Sequence, residues 1–584
     1  MQKGGVIMRN VAQEVYGSDF RDNQRHFLDF YNKNYERNVI AEMPTGSGKS
    51  LIAMHIGLNH PEYGTVFIVT PTKDLMKQYE RDFGHLKDVL LLAGKNEYKC
   101  MDALNEGITG LTAEACTNDQ EPCKYHYSMD NDNNCEYSRR INTFMEYKVV
   151  VTNYHMMLAL INLKNTNSRS WYSPLIIWDE AHKFQDILRN ITGIEYNKDK
   201  TTQLMNRDLA YQLYLNDYVM DDSYLNDEIS NDLYSYFYSN FKDKSATELK
   251  NDLTKWFETI NIIDHNAFGI SIKEKLRILR DIDGLRSKVN GTILFRYMKA
   301  EPYEVINKDN RESCIRLIPQ DYTDLATKLF SPAAEKHLMM SGTIHYPQFN
   351  DLRRLELLKI INGMEMDIIY KTPNQYYFSQ DKIKKYAPHH LDWIIYRNSI
   401  EYVDFKKAYG KMIKIIIEKD LNTMIHFNAK WQCNHMEKAL KESGYQGKIY
   451  NYHDQGNTTE SKQKIKKEFI KTGGVLIGSS LHEGLDFPGE QLELVIIGRA
   501  PYAPDVEKDK YYPRSDRKIS SKIVRIWEGL KEKGALNIDK EEYRLKTLQQ
   551  IGRLQRTNED KGIIILANYP FVSRDIQKQF VRVQ

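Results

Sequence analysis

The hydrophobic pattern alternates in the same way in two separate parts of the chain. Between residues 37 and 92, short apolar runs of strand length alternate with stretches whose apolar residues recur at helical spacing, and the alternation returns between residues 422 and 500. Such a pattern predicts two doubly wound parallel sheets with helices on both faces. In "NVIAEMPTGSGKSLIAMHIGL" an apolar strand-like lead enters a Gly-containing loop; Gly48, Lys49 and Ser50 then open a helix with Leu51, Ile52, Met54 and Ile56 apolar. In "SPLIIWDEAHKF", Leu175 to Trp178 read as a short buried strand that delivers Asp179 and Glu180 to its C-terminal end. Open parallel sheets bind their ligands at that edge.

These two stretches carry complementary chemistry. A Gly-containing loop before a helix wraps phosphates with backbone N–H groups, so Thr45, Gly46, Ser47, Gly48, Lys49 and Ser50 are expected to bind a nucleotide. Lys49 is expected to reach the β- and γ-phosphates and the Ser50 hydroxyl to hold Mg²⁺. The strict pattern wants Gly where this chain has Met43. Asp179 is placed to hold Mg²⁺ through water, and Glu180 to orient and deprotonate an attacking water. Alone, the first stretch could be a chance turn and the second a helix cap. Together they imply hydrolysis of a nucleoside triphosphate. In "QQIGRLQRT", Gln550, Arg553 and Arg556 recur every three residues, which predicts one side of a helix presenting guanidinium groups to a γ-phosphate held by another domain. For isolated arginines a solvated basic face is the alternative. Glu483, Gly484 and Asp486 in "EGLDFPG" are expected in a tight loop at the same interface.

Composition narrows the setting. A chain of 584 residues is too long for one core and is expected to divide into roughly three to five domains. Its 41% hydrophobic and 28% charged content is that of an ordinary globular protein. No apolar run approaches the roughly 18 residues that span a bilayer, and "MQKGGVIMRN" lacks the apolar core of a secretory signal. An intracellular setting is expected: cytoplasm or nucleoid, or host cytoplasm for a viral protein. There, clustered cysteines bind metal or do redox chemistry rather than form structural disulfides. A net charge of +3 is too small to identify a nucleic-acid partner.

Four of the six cysteines, Cys100, Cys116, Cys123 and Cys135, fall within 36 residues. "ACTNDQEPCKY" is polar and turn-rich, whereas buried structural cysteines sit among apolar neighbours. The spacing C-x15-C-x6-C-x11-C contains no C-x2-C pair of the zinc-ribbon kind. Four widely spaced thiolates suit a loop-wrapped iron–sulfur cluster better, with zinc the alternative, and a stretch this polar needs ligation to fold.

"TGSGKS" and "DEAH" with cysteines between them resemble a superfamily 2 helicase of the iron–sulfur XPD/DinG branch. Further blocks follow in the order of that family. "RDNQRHF" with Gln24 resembles its adenine-reading element, and "VTPTKDL" with Thr70, Pro71 and Thr72 a motif on the nucleic-acid backbone. "VVVTNYHMML" resembles the stretch after the cysteine module; "MMSGTI" with Ser341, Gly342 and Thr343, together with His182, resembles the elements coupling hydrolysis to DNA. "IGSSLHEGLDFPGEQLELVIIGRAPY" and "QQIGRLQRT" look like the late motifs of the second motor domain.

The resemblance implies two RecA-like parallel-sheet motor domains, the first interrupted by an iron–sulfur module and a mainly helical arch. The expected boundaries are residues 1–95, 146–185 and 321–345 for motor domain 1, 96–145 for the module, 186–320 for the arch and 346–584 for motor domain 2. It also implies ATP, Mg²⁺ and one [4Fe-4S] cluster on Cys100, Cys116, Cys123 and Cys135. The implied activity is an ATP-dependent DNA helicase, working as a monomer, that moves 5′ to 3′ on single-stranded and forked DNA and unwinds duplex. A translocase that remodels protein–DNA or RNA complexes without unwinding is one alternative. A non-catalytic redox-sensing DNA-binding module is another, and the set Lys49, Asp179, Glu180 and Arg553 argues against it. Leu213 to Phe241 lacks Lys and Arg and interleaves acids with tyrosines, so it suits a packed face or a protein loader better than phosphates. Residues 273–299 are basic and are the expected DNA-facing side of the arch.

Overall fold

The computed structural model describes residues 9–184, 187, 194–197, 303–308, 314–319, 326–388, 401–498, 538–567 and 574–583, apart from 45, 106, 108–109, 114–124, 126–134, 166–170, 343, 345–349, 377–380, 428, 454–458, 480, 482–486, 488–490 and 555–559. The first five strands are β1 (Val39–Glu42), β2 (Val66–Thr70), β3 (Val89–Leu92), β4 (Val149–Asn153) and β5 (Leu175–Asp179). β6 (Ile194–Asn197), β7 (Tyr303–Lys308) and β8 (Cys314–Pro319) form a separate antiparallel sheet in the order β6-β8-β7. β9 (Lys336–Ser341) and β10 (Ile368–Lys371) return to the first five. The resulting sheet has seven parallel strands in the order β10-β1-β9-β5-β2-β4-β3.

Successive side chains of a strand point to opposite faces, and both faces of this sheet are covered. Val39, Ala41, Val66 and Ile68 join one apolar cluster with Phe27, Ile52, Met54 and Tyr79. Ile40, Phe67 and Val69 join the other with Tyr154, Trp178, Phe184 and Phe330. The apolar runs seen in the sequence are therefore strands buried on two sides.

The second sheet repeats the plan. β11 (Ile383–Pro388), β12 (Thr423–His426), β13 (Ile449–Asn451), β14 (Val475–Gly478), β15 (Leu494–Ile497), β16 (Gly562–Leu566) and β17 (Val581–Val583) pair in parallel in the order β13-β14-β12-β15-β16-β11-β17. Met424, Leu476 and Val495 face one core while Ile425, Ile477 and Ile496 face the other. Among the described residues no helix is long and apolar enough to cross a membrane.

One expected boundary needs correction. The first domain was expected to end at residue 345, but β10 pairs with β1 from Val39↔Ile368 to Glu42↔Lys371, so the first sheet runs to residue 371. The helix Asp351–Asn362 carries the chain over to that edge, and its apolar residues are spread around it, so its sequence does not reveal which sheet receives the next strand. Within 186–320 the described strands are antiparallel sheet; the acidic tyrosine stretch and residues 273–299 lie outside the described residues.

His337, on β9 and 3% exposed, sits behind the acidic end of β5. Trp178 Nε1 donates to His337 Nδ1 at 3.1 Å and His337 Nε2 lies 3.0 Å from Ser331 O, which is the pattern of a neutral imidazole with its proton on Nε2. Burial pushes its pKa down to about 4 from an ordinary 6.5, against a smaller opposing effect of the Ser331 bond. Between those values the unfolded chain binds a proton that the folded chain refuses, so stability falls as pH drops through that window. The expected loss is about 3 kcal/mol. Urea melts at pH 7 and pH 4.5 should show it, and His337→Gln should flatten the difference.

Candidate nucleotide site at the facing edges of the two sheets

β1 ends in a loop that neighbouring elements hold in place. Met43 N donates to Ser341 O at 2.9 Å, tying the loop's entry to the end of β9. The backbone then turns through Gly46 and Gly48 with φ of 79° and 82°, a left-handed conformation that suits glycine. A Cβ on Gly48 would also lie 2.2 Å from Gln24 Nε2. Gln24 itself braces the loop. Its Nε2 donates to Ser47 O at 3.0 Å while its Oε1 accepts from Arg21 N at 2.9 Å, and Arg21 Nη2 donates to Gly46 O at 2.9 Å. Ser47 Oγ is buried without a hydrogen-bond partner among the described residues. A buried hydroxyl left unmatched is costly, and a phosphate oxygen would satisfy it. Thr45 lies outside the described residues.

Lys49 opens the helix Lys49–Leu58 and points its ammonium at the end of β5, with Nζ 3.6 Å from Glu180 Oε1. Glu180 adopts φ 49°, a left-handed conformation that costs a non-glycine residue about 1–3 kcal/mol. Its N–H donates to Asp179 Oδ1 at 2.9 Å, and the Tyr79 hydroxyl donates to Asp179 Oδ2 at 2.9 Å. Burial, and then the charge of Glu180, raise Asp179 to about 6. Burial acts upward on Glu180 too, but Lys49 and next His182 outweigh it and hold that carboxyl below its ordinary range. Buried Asp179 and half-buried Glu180 thus stand side by side, with Lys49 and then Lys183 adding positive charge that favours the ionised Glu180. The negative charge of this pair at the strand end, beside the phosphate-loop lysine, fits a hard divalent cation.

A hydrogen-bonded chain leads from this pair to the second domain. His182 Nδ1 lies 2.7 Å from Ser341 Oγ and 3.3 Å from Glu180 Oε2. On its other side, Gln549 Nε2 lies 2.8 Å from His182 Nε2. With the amide nitrogen donating, the imidazole carries its proton on Nδ1 and donates toward Ser341. Gln549 belongs to the helix Ile538–Ile551, which packs on the second sheet, so the contact joins the two domains directly.

Sequence spacing had pointed to Gln550 instead. The helix ends at Ile551 with Gly552 N bonded to Leu548 O, so Gln550 and Arg553 do not share a helical side. Gln550 is 1% exposed and its Oε1 has no hydrogen-bond partner among the described residues. Gln549, one residue earlier, lies on the half-buried side of the same helix, and no local spacing marks it over its neighbour. Tyr79 was also missed: with Met76 and Phe83 it reads as an apolar stripe, and only the fold aims its hydroxyl at Asp179. Thr70 is corrected as a nucleic-acid contact. It is fully buried, and its hydroxyl donates to Thr152 O and Thr72 O, both at 3.3 Å. Thr72 caps the helix Lys73–Phe83 through Leu75 N, leaving Pro71 between two inwardly engaged threonines. Gly342 follows Ser341 half-buried; Thr343, Glu483, Gly484, Asp486 and Arg556 lie outside the described residues.

Of the four clustered cysteines, Cys100 and Cys135 are described, and Cys116 and Cys123 are not. Tyr98 and Tyr137, each two residues outside that pair, contact with ring centroids 5.7 Å apart. Arg140 lies over the Tyr98 ring and Lys95 over the Tyr137 ring. Cys100 and Cys135 therefore lie beside an aromatic clasp that brings the two ends of residues 98–137 together. Both are free, half-buried thiols, which suits thiolate ligation. Among the described residues no group of three or more His, Cys, Asp or Glu side chains converges to hold a metal.

Comparison with known proteins agrees with this architecture. Residues 17–205 match the family model described as the type III restriction enzyme res subunit, and residues 412–583 match the helicase C-terminal domain. A probable ATP-dependent helicase of Methanocaldococcus jannaschii is 25% identical over 179 residues, which is 29% of this chain. The match spans only about a quarter of that relative's length, 27%. Among solved structures, an XPD helicase aligns over 96% of this chain and 99% of its own with a TM-score of 0.56 at 13% identity. S. tokodaii Xpd4 aligns over 97% and 100% with a TM-score of 0.55 at 14% identity. With the res-subunit match on the first domain, the helicase C-terminal match on the second and a fold shared with XPD helicase structures along nearly its whole length, the chain has the XPD helicase fold and the domain matches of an ATP-hydrolysing helicase.

Proposed function

We propose that this protein is an ATP-driven motor that moves 5′ to 3′ along single-stranded DNA and separates duplex at a fork. The observation that carries the proposal is the bonded path Lys49–Glu180–His182–Gln549, which joins a phosphate loop in one domain to a helix of the other. In this scheme Ser47, Gly48 and Lys49 bind the phosphates, and Gln24 holds the loop beside the adenine. Ser50 and Asp179 hold Mg²⁺, which neutralises charge on the phosphates. Glu180, kept ionised by Lys49, orients the attacking water and accepts its proton. Arg553 and Arg556 approach the γ-phosphate from the second domain together with the Glu483, Gly484 and Asp486 loop. Ser341, Gly342, Thr343 and His182 pass the state of the phosphate to the nucleic-acid face, where Pro71 and Thr72 lie.

The cysteine module extends the proposal. Cys100, Cys116, Cys123 and Cys135 would hold a [4Fe-4S] cluster, which supplies structural cross-linking to a polar loop. The clasp Tyr98–Tyr137 supports this by keeping the loop's ends together. The ordered loop would serve as a wedge at the fork, and the acidic tyrosine-rich stretch of the arch as a site for a protein loader.

Lys49→Ala should lower ATP hydrolysis by about a hundredfold or more while leaving the melting temperature nearly unchanged; retained single-strand-stimulated turnover would sink the motor. Gln549→Ala should reduce DNA stimulation of turnover about tenfold at normal stability, whereas Gln550→Ala, in the core, should cost about 2 kcal/mol of stability. Protein purified without oxygen should contain about four irons and four sulfides, and Cys135→Ser should lose them and duplex separation together. Zinc without sulfide would remove the cluster.

A further inference from the structure

The scheme above leaves one completely buried hydroxyl unused. Tyr79 lies on the helix Lys73–Phe83, at 0% exposure, with its ring packed against Phe83 at a centroid distance of 5.7 Å. Its proton goes to Asp179 Oδ2 at 2.9 Å. Asp179 stands at the end of β5, and the hydroxyl reaches it from a helix 100 residues earlier in the chain.

We propose that Tyr79 is a positioning residue that presets Asp179 for the divalent cation accompanying the nucleotide. The inference rests on the nucleotide-site assignment above and adds a residue to it. Asp179 has two oxygens that could rotate; Tyr79 engages one and Glu180 N the other, so the carboxylate is held at both ends. Groups that hold metal ligands from behind typically change metal affinity by about 10–100-fold when removed. Packing of the ring is a separate contribution, and phenylalanine retains it.

The decisive experiment titrates Mg²⁺ against a fixed concentration of a fluorescent ATP analogue bound to the full chain, for wild type and Tyr79→Phe, with a parallel measurement in EDTA. Tyr79→Phe is expected to need about tenfold more Mg²⁺ for half-maximal tight binding, while binding in EDTA stays within about twofold of wild type. Asp179→Asn supplies a second variant. If Tyr79 acts through Asp179, adding Tyr79→Phe to Asp179→Asn should raise the Mg²⁺ requirement by clearly less than it does alone. An unchanged Mg²⁺ requirement in Tyr79→Phe, or full additivity with Asp179→Asn, would overturn the proposal. Equal losses with and without Mg²⁺, accompanied by a lower melting temperature, would assign Tyr79 to packing and also overturn it. Absence of any Mg²⁺-dependent nucleotide binding in the wild type would instead defeat the underlying nucleotide-site assignment.

Discussion

Two carboxyl groups side by side at the end of β5, Asp179 buried and Glu180 half-buried, are the constraint around which the first domain is organised. A buried carboxylate is strongly disfavoured, and a second one beside it adds to the cost. Each neighbouring element answers part of that cost. The phosphate-loop helix supplies Lys49, the helix Lys73–Phe83 supplies Tyr79, and the strained Glu180 backbone turns its N–H onto Asp179. What is left over is a place for a cation and the phosphates it travels with.

The same constraint explains how the domains sense each other. Glu180 is satisfied partly by His182, and His182 is divided between Ser341 on one side and Gln549 of the second domain on the other. A change of charge near Glu180 alters what His182 must bond, and the next group along is in the other domain. In the cycle proposed above, hydrolysis would act on the grip between domains through this bonded path. A second brace lies nearby: Glu42, the last residue of β1, pairs with buried Arg354 on the helix Asp351–Asn362, whose Nη2 also donates to Ile344 O. That pair fastens the root of the phosphate loop to the chain leaving the end of β9.

Much of this was legible in the chain. Parallel sheets buried on both faces need continuous apolar runs, and those runs stood out at Val39–Glu42, Leu175–Asp179 and Val475–Gly478. The loop from Gly46 to Lys49 could be read because glycine spacing and a helix start are local properties. Partners decided by distance in space could not. Thr70 looks like any strand-end threonine until β4 is laid beside it, and its hydroxyl then turns inward to Thr152 O. The ownership of β10 depends on which open edge its helix returns to, and nothing within four residues of strand encodes that.

By itself, the sequence determined the two-sheet class, the phosphate loop and the acidic strand end, because each arises from short-range periodicity or from residue types required at fixed spacing. Only the tertiary structure chose between Gln549 and Gln550, since adjacent residues on a helix point about 100° apart and that rotation alone separates the core from the interface. Only the tertiary structure, likewise, turned Tyr79 from one residue of an apolar stripe into the group that holds Asp179. A hydroxyl at the rim of a buried ring finds its partners from elements far away in sequence, and their arrival is a property of packing rather than of pattern.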